Sequence, residues 1–342
     1  MKKIRGIACL ISVLAVCLFI ASCEEKADPS YTHMVGTTDF ELEGFLPCSQ
    51  IVELEASGVV SPEKIIVKWL IPKIYKDTLT GTHLIIRTPE EPGNLTVTVI
   101  TDAYGYYETE SSKTAILIDT TKSLTGRKFK GGLITDPRDG QQYHTTFAGN
   151  LEWFAENLKW GGAGRCYFGC DILESVFGRL YTWNEATEGI DGSGLAGGPQ
   201  GACPPGWSVP TAEDWEDLGT ALNKGVAVPF LSNWSGLGEK LTVEAYLNGD
   251  KLWPISPDNN KSNTLFWNAL PVGYGSKESD IYRDFKSYGM WWSSAKRSND
   301  RAYYRYIYFD ADYCGVNYAN VNDLSFSVRC VRLSDHYVGI EE

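Results

Sequence analysis

Between residues 37 and 120 short apolar runs alternate with turn residues. "IVELEA" (51–56), "KIIVKWLI" (64–71), "HLIIRT" (83–88), "LTVTVITDA" (95–103) and "KTAILI" (113–118) alternate or run apolar and are rich in β-branched residues, the pattern of strands. Between them "SGVVSP", "DTLTG" and "PEEPGN" carry turn chemistry. No long helical period appears in this half. From about residue 133 the texture changes: tryptophan and tyrosine become frequent and glycine loops lengthen. "AYYRYIYFD" (302–310) and "LSFSVRCVRL" (324–333) read as strands, "FGRLYTWNEAT" (177–187) as one helix and "TAEDWEDLGTALN" (211–223) as another. "GIDGSGLAGGPQG" (189–201) and "PISPDNNKSN" (254–263) read as loops.

These patterns divide the chain. Residues 37–122, with Trp69 as core tryptophan, fit a small all-β immunoglobulin-like sandwich. Residues 133–335 fit a mixed α+β domain, and "SLTGRKFKGG" (123–132) is the natural break. Ahead of the first strand, Lys2, Lys3 and Arg5 precede a short apolar run that stops at Cys23, which is the form of a secretory signal peptide over residues 1–22. The exit Ile20-Ala21-Ser22-Cys23 resembles a bacterial lipobox, which implies that Cys23 is lipidated and that residues 23–36 tether the fold to a membrane. The acids directly after Cys23 resemble surface-export signals of Bacteroidetes lipoproteins, so the expected location is the outer membrane, lipid-anchored, at the cell surface.

Charge narrows the partners. The formal charge is −12, and losing the three cations of residues 1–22 takes it to −15. A field of that sign does not draw the chain to nucleic acid, nor to anionic headgroups, so the membrane is reached through the lipid alone. Aromatics at 13% against 22% charged residues point to packed β-rich domains rather than disorder.

The acids of "TAEDWEDL" look at first like a catalytic cluster. Thr211 caps a helix whose first turn is Ala212-Glu213-Asp214, where carboxylates lie at the positive end of the helix dipole. Trp215, Leu218 and Leu222 form one apolar face, with Glu216 and Asp217 directed away from it. The acids are therefore structural. The four histidines lie in separate segments with no metal-binding spacing, and no G-x-S-x-G is present. A formal G-x-G-x-x-G, Gly192 to Gly197, follows no strand and opens no helix, so it reads as a flexible surface loop. Cys166 and Cys170 in "CYFGC" are spaced for a local disulfide or two free thiols.

Six separated segments carry a resemblance. "TDPRDGQQYHTTFAGNLEWFAENLKW", "GRLYTWNEA", "CPPGWSVPTAEDWEDL", "ALPVGYG", "YGMWWSS" and "FSVRCVR" come in the order of the Fibrobacter succinogenes major paralogous domain, over about residues 133–333. "GWSVPTAEDWEDL" and "FSVRCVR" also look like formylglycine-generating enzymes, whose fold is a variant of the C-type lectin fold, so a C-type-lectin-like second domain is expected. Their copper-binding cysteine motif is not matched around Cys314 or Cys330, and the activity is not carried over. The resemblance implies a disulfide between Cys203 and Cys330. It also raises calcium: C-type lectins ligate calcium through an Asn-Asp pair before the last strand, where Asn322 and Asp323 stand here, with Asp310, Asp312 and Asn320 nearby. The second lectin ligand triplet is missing, and Asn-Asp equally suits a polar turn. No other cofactor is implied.

"AYYRYIYFD" places Tyr304, Tyr306 and Tyr308 on one face of a strand and Tyr303, Arg305, Ile307 and Phe309 on the other. One set must face the core. The other leaves a surface on which ligands stack, with Trp292, Tyr304 and Tyr306 the expected contacts. The expected function is a non-catalytic surface module binding a glycan or a surface protein. An enzyme on the same fold and a purely structural envelope component are the alternatives.

Overall fold

In the computed structural model residues 30–279 and 281–335 are described, and the leader over 1–22 and the lipid-bearing Cys23 lie outside them. Strand makes up 41% and helix 10%, a β-rich chain. The β-branched runs of the first half pair into a five-stranded sheet in the order Phe45–Pro47, Thr109–Ile118, Gly93–Ala103, Ile65–Leu70, Leu79–Thr80. Its long central pair is antiparallel from Thr109↔Thr101 to Leu117↔Gly93. The period of two turns Leu95, Val97, Val99, Ala115 and Leu117 to one buried face. Leu54 and Ile86, from the pair Ile51–Glu55 and His83–Arg87, complete that core. Trp69 is the expected core tryptophan, edge-on to Phe40 with ring centroids 5.4 Å apart. Its indole N–H donates to the Gly81 carbonyl at 2.8 Å, which is what makes an indole affordable in a core.

Pairing begins earlier than the sequence pattern indicates. Thr32–His33 pairs with Tyr106–Tyr107 and Val35–Asp39 with Ser57–Val60, so the end of the expected 23–36 tether belongs to the fold. Segment 123–132 is not a free linker: Leu124–Thr125 pairs with Tyr246–Leu247, and Lys128 exchanges hydrogen bonds with the Asn268 side chain through both its N–H and its carbonyl. Gly126 sits at φ +92°, where a Cβ would overlap the Glu244 carbonyl. The first sheet leads into this segment through the tight turn Asp119–Ser123, in which the Asp119 carboxylate accepts from Thr121 and Lys122. Ile118 and Phe45 join Leu173, Phe177, Val243 and Leu247 in an apolar cluster that spans the turn. Glycine and basic residues in 123–132 look like a linker locally, but distant backbone holds them.

Besides the small sheet of Leu124–Thr125, Tyr246–Leu247 and Asp250–Lys251, three sheets build the second half. Leu133–Thr135, Gln142–Ala148, Leu151–Phe154 and Val331–Leu333 bring its two ends together. A second sheet runs Arg165–Cys166, Arg179–Thr182, Leu324–Phe326, Tyr274–Ser276, Ile281–Arg283. Tyr288–Ser298, Arg301–Tyr308 and Cys314–Asn320 form an antiparallel meander. The helix Ala212–Leu222 is capped as expected: Thr211 Oγ1 accepts from the Asp214 N–H, and the Asp214 carboxylate accepts from the Thr211 N–H. Trp215, Leu218 and Leu222 are buried. Glu216 and Asp217 also bind backbone, at Phe230 and Asn150. "FGRLYTWNEAT" is not one helix. Arg179–Thr182 is a strand, and Thr182, extended, caps the short helix Trp183–Thr187 with Glu185 closing the box. "LSFSVRCVRL" likewise splits into Leu324–Phe326 and Val331–Leu333.

Cys203 and Cys330 are bonded, with Cα atoms 5.8 Å apart and a sequence separation of 127. The expected bridge between Cys166 and Cys170 is not formed, and both thiols are free. Phe168 between them adopts φ +54°, so no helical i, i+4 geometry exists. The Cys166 thiol turns to Asp171 and Glu174, and the Cys170 thiol to the Phe45 carbonyl.

Two outcomes follow from this architecture. Limited proteolysis of the native chain gives no cut within 123–132, and a dominant early cut there means that the pairing with 246–247 does not hold in solution. Cys203→Ser, compared with the oxidised protein by denaturant unfolding, loses about 4–5 kcal/mol through the loop-closure entropy of a link longer than 100 residues.

Candidate functional site: a tyrosine-walled cleft

The meander sets the site by register. Tyr288 pairs with Tyr308, Met290 with Tyr306 and Trp292 with Tyr304, and the next strand sets Gly315 against Tyr306 and Asn317 against Tyr304. On the opposite face Arg305 and Ile307 are buried with Trp291. Arg305 lies 3.6 Å over the Trp234 ring and donates to the carbonyls of Ser232, Phe230 and Cys314. Burial lowers its pKa to about 10, so it stays charged at neutral pH.

Along the tyrosine face the environment changes from core to opening. At one end Trp292 is fully buried, because residues 324–328 fold over it: its N–H donates to the Ser327 carbonyl, its indole to Tyr181, and Phe326 lies 4.5 Å away. The expectation that Trp292 contacts a ligand is corrected. It is core, and period-two placement beside Tyr304 cannot show that a later segment covers it.

Past that cover the face opens into a cleft of about 340 Å³. Met290, Leu324 and Phe326 line its apolar base, and Tyr274, Tyr288, Tyr304, Tyr306 and Tyr313 line its sides, with Asp284 and Asn317 among the lining residues. Tyr304 and Tyr306, both expected contacts, are half-buried here. Tyr304 packs on Phe326 at 4.4 Å, and Tyr306 meets Tyr313 edge-on at 6.2 Å. A Cβ at Gly315 would overlap the Tyr306 ring, so this glycine lets the ring lie across the neighbouring strand. Burial raises the pKa of Tyr304 to about 12. Burial, then the Tyr313 hydroxyl, raises that of Tyr306 further, and burial raises that of Tyr288. Tyr288, Tyr304 and Tyr306 are thus neutral hydroxyls at neutral pH. Asp284, at φ +60° in the turn before the meander, is exposed, and its carboxylate takes no hydrogen bond or ion pair from a described residue.

The remaining expected site residues serve the fold. Asn322 Oδ1 accepts from Asn184, and the Asp323 carboxylate accepts from Ser276 and from the Glu278 N–H. Asn320 accepts from the backbone of both, and Asp310 accepts from Ser256. These bonds hold the turns before and after the last strands; among the described residues no group of three or more His, Cys, Asp or Glu converges as a metal set. The Gly192–Gly197 segment is stitched down rather than flexible: Thr211 Oγ1 donates to the Gly194 carbonyl, and the Ala196 N–H to the Asp214 carboxylate. Cys166 is buried, and its pKa is raised to about 12, first by burial and then by Asp171, so its thiol keeps its proton at neutral pH. Tyr274, Asp284, Tyr288 and Tyr313 were missed in the sequence. Tyr288 alone had a signal, since it continues the alternate-residue series of Met290 and Trp292.

The family described as Fibrobacter succinogenes major domain matches residues 147–332, more than half of the chain. No curated protein matches. Among solved structures a quinonprotein alcohol dehydrogenase-like protein from Bacteroides thetaiotaomicron VPI-5482 is similar at 12% identity and TM-score 0.19. That match covers 38% of this chain and 23% of the other, a likeness too slight to carry an argument.

Core and cleft are separable by substitution. Trp292→Ala lowers stability by about 3–5 kcal/mol in denaturant unfolding, as loss of a buried indole does. Tyr306→Ala, at the cleft wall, costs less than half as much. Equal losses at both positions mean that Tyr306 is core.

Proposed function

The chain belongs to the Fibrobacter succinogenes major domain family, and from that premise we propose that it is a non-catalytic surface-binding module whose ligand, a glycan or a protein surface, seats in the tyrosine cleft. In this reading Cys23 carries the lipid that holds the chain on the outer membrane. The all-β first unit is an immunoglobulin-like spacer, and the second is a C-type-lectin-like domain that presents the cleft outward. The observation that carries the reading is the placement of five tyrosines around one opening. Aromatic rings with polar tips are the usual material of adaptable binding faces, since they add contact area at small entropic cost.

Cysteine chemistry of the formylglycine-generating kind finds no support in these residues. Cys330 is bonded to Cys203, and Cys314 is buried with its pKa raised to about 11 by that burial. Acid–base chemistry is equally unsupported at the cleft, where Tyr304 and Tyr306 keep their protons at neutral pH. Each stacked ring contributes on the order of 1 kcal/mol, so one site is weak and display of many copies on a membrane supplies avidity.

The test is a glycan and surface-protein array probed with the chain from Glu24 onward, free of its anchor. Tyr288→Ala and Tyr306→Ala each weaken the captured ligand about fivefold or more, the equivalent of about 1 kcal/mol, with little change in melting temperature. Unchanged binding in both variants places the binding face elsewhere.

A further inference from the structure

The cleft's chemistry narrows the ligand further. Its rings do not form a flat platform of the kind a sugar ring stacks on. Tyr288 and Tyr306 are inclined by 50°, Tyr304 and Tyr306 by 50°, and Tyr306 and Tyr313 by 83°, with neighbouring centroids 6.1–6.2 Å apart. Rings turned in this way enclose a rounded volume from several directions. Charge is one-sided too. Among the described residues Asp284 is the only carboxylate lining the cleft, and no described lysine or arginine lines it. Its carboxylate is unsatisfied by any described residue, so it is available to a ligand. The base is apolar, formed by Met290, Leu324 and Phe326.

We infer that this cleft binds a compact quaternary ammonium group, held among the tyrosine rings with Asp284 as its counter-charge. The inference rests on the reading of the cleft as the ligand site. A cation within about 6 Å of several aromatic rings is attracted by their quadrupoles, and the attraction grows as water is excluded. Methyl groups on the nitrogen suit the apolar base. The space, about 340 Å³, accommodates a choline-sized group with part of whatever carries it. Neutral tyrosine walls fit this role, because an aromatic cage attracts a cation without adding charge of its own.

The same headgroup arises as free choline or as phosphocholine displayed on a larger molecule, and calorimetric titration of the chain from Glu24 onward with each separates the two sources. The uncharged carbon isostere of choline, in which carbon replaces the nitrogen, is the control. The expected result is that choline or phosphocholine binds about tenfold or more tighter than the isostere. Asp284→Asn, an exposed position that leaves the fold intact, removes most of that difference and leaves the isostere unchanged. Tyr306→Leu weakens both. Tighter binding of choline assigns a free small ligand, and tighter binding of phosphocholine assigns a displayed headgroup. Equal binding of choline and isostere overturns the inference, as does an Asp284→Asn variant that binds choline like the parent. If no ammonium compound binds while an array ligand is still lost in Tyr288→Ala and Tyr306→Ala, the cation inference fails and the cleft reading stands. If the array ligand also ignores those tyrosines, both fall.

Discussion

The guanidinium of Arg329 is a charge with no exposure to water and no carboxylate in hydrogen-bonding contact. It is satisfied by neutral oxygens alone: Asn157 Oδ1 at 2.8 Å and the carbonyls of Phe154, Trp267 and Asn268 at 3.1, 2.7 and 2.9 Å, with the ring of Trp267 4.2 Å from its carbon. Burial lowers its pKa to about 9, which still leaves it charged at neutral pH. A buried charge of this kind tolerates few arrangements, because each donor left unpaired costs free energy that packing cannot return. It therefore fixes where three separate stretches of chain must meet.

The consequences spread from there. Asn157 Oδ1 also accepts from the Trp291 indole, so the strand that carries Tyr288 and Met290 is pinned to the same centre. Asn268, which gives its carbonyl to Arg329, uses its side chain to hold Lys128 and with it the segment that resembles a linker. The next residue after Arg329 is bonded to Cys203, at the entry to the capped helix. Trp153, Trp215, Trp267 and Trp291 pack in between with centroids 4.9–6.2 Å apart. Arg305 repeats the device on the back of the tyrosine strand, again against carbonyls and an indole. A meander fastened from behind by two cations and a tryptophan cluster holds the cleft walls in place.

Much of this was legible in the chain itself. Thr211 and Asp214 with the apolar positions 215, 218 and 222 determine a helix from interactions within four residues of one another. The alternation in 302–310 determines a strand with tyrosines on one side, and the β-branched runs of the first half determine its sheets. The ordered series of six motifs determines the family. What the chain could not show is which surfaces are covered. Trp292 and Tyr306 share one face of one sheet, yet Trp292 is core because residues 324–328 cross it, while Tyr306 stands at the edge of that cover. Tyr274 and Asp284 come to the cleft from another sheet and its following turn, and the oxygens of Asn322 and Asp323 are claimed by Asn184, Ser276 and Glu278. Local propensity and periodicity are properties of neighbouring residues and so can be read directly. Burial, the fate of a thiol or carboxylate, and the convergence of side chains on a cleft depend on contacts between residues far apart in sequence, and only the tertiary structure decides them.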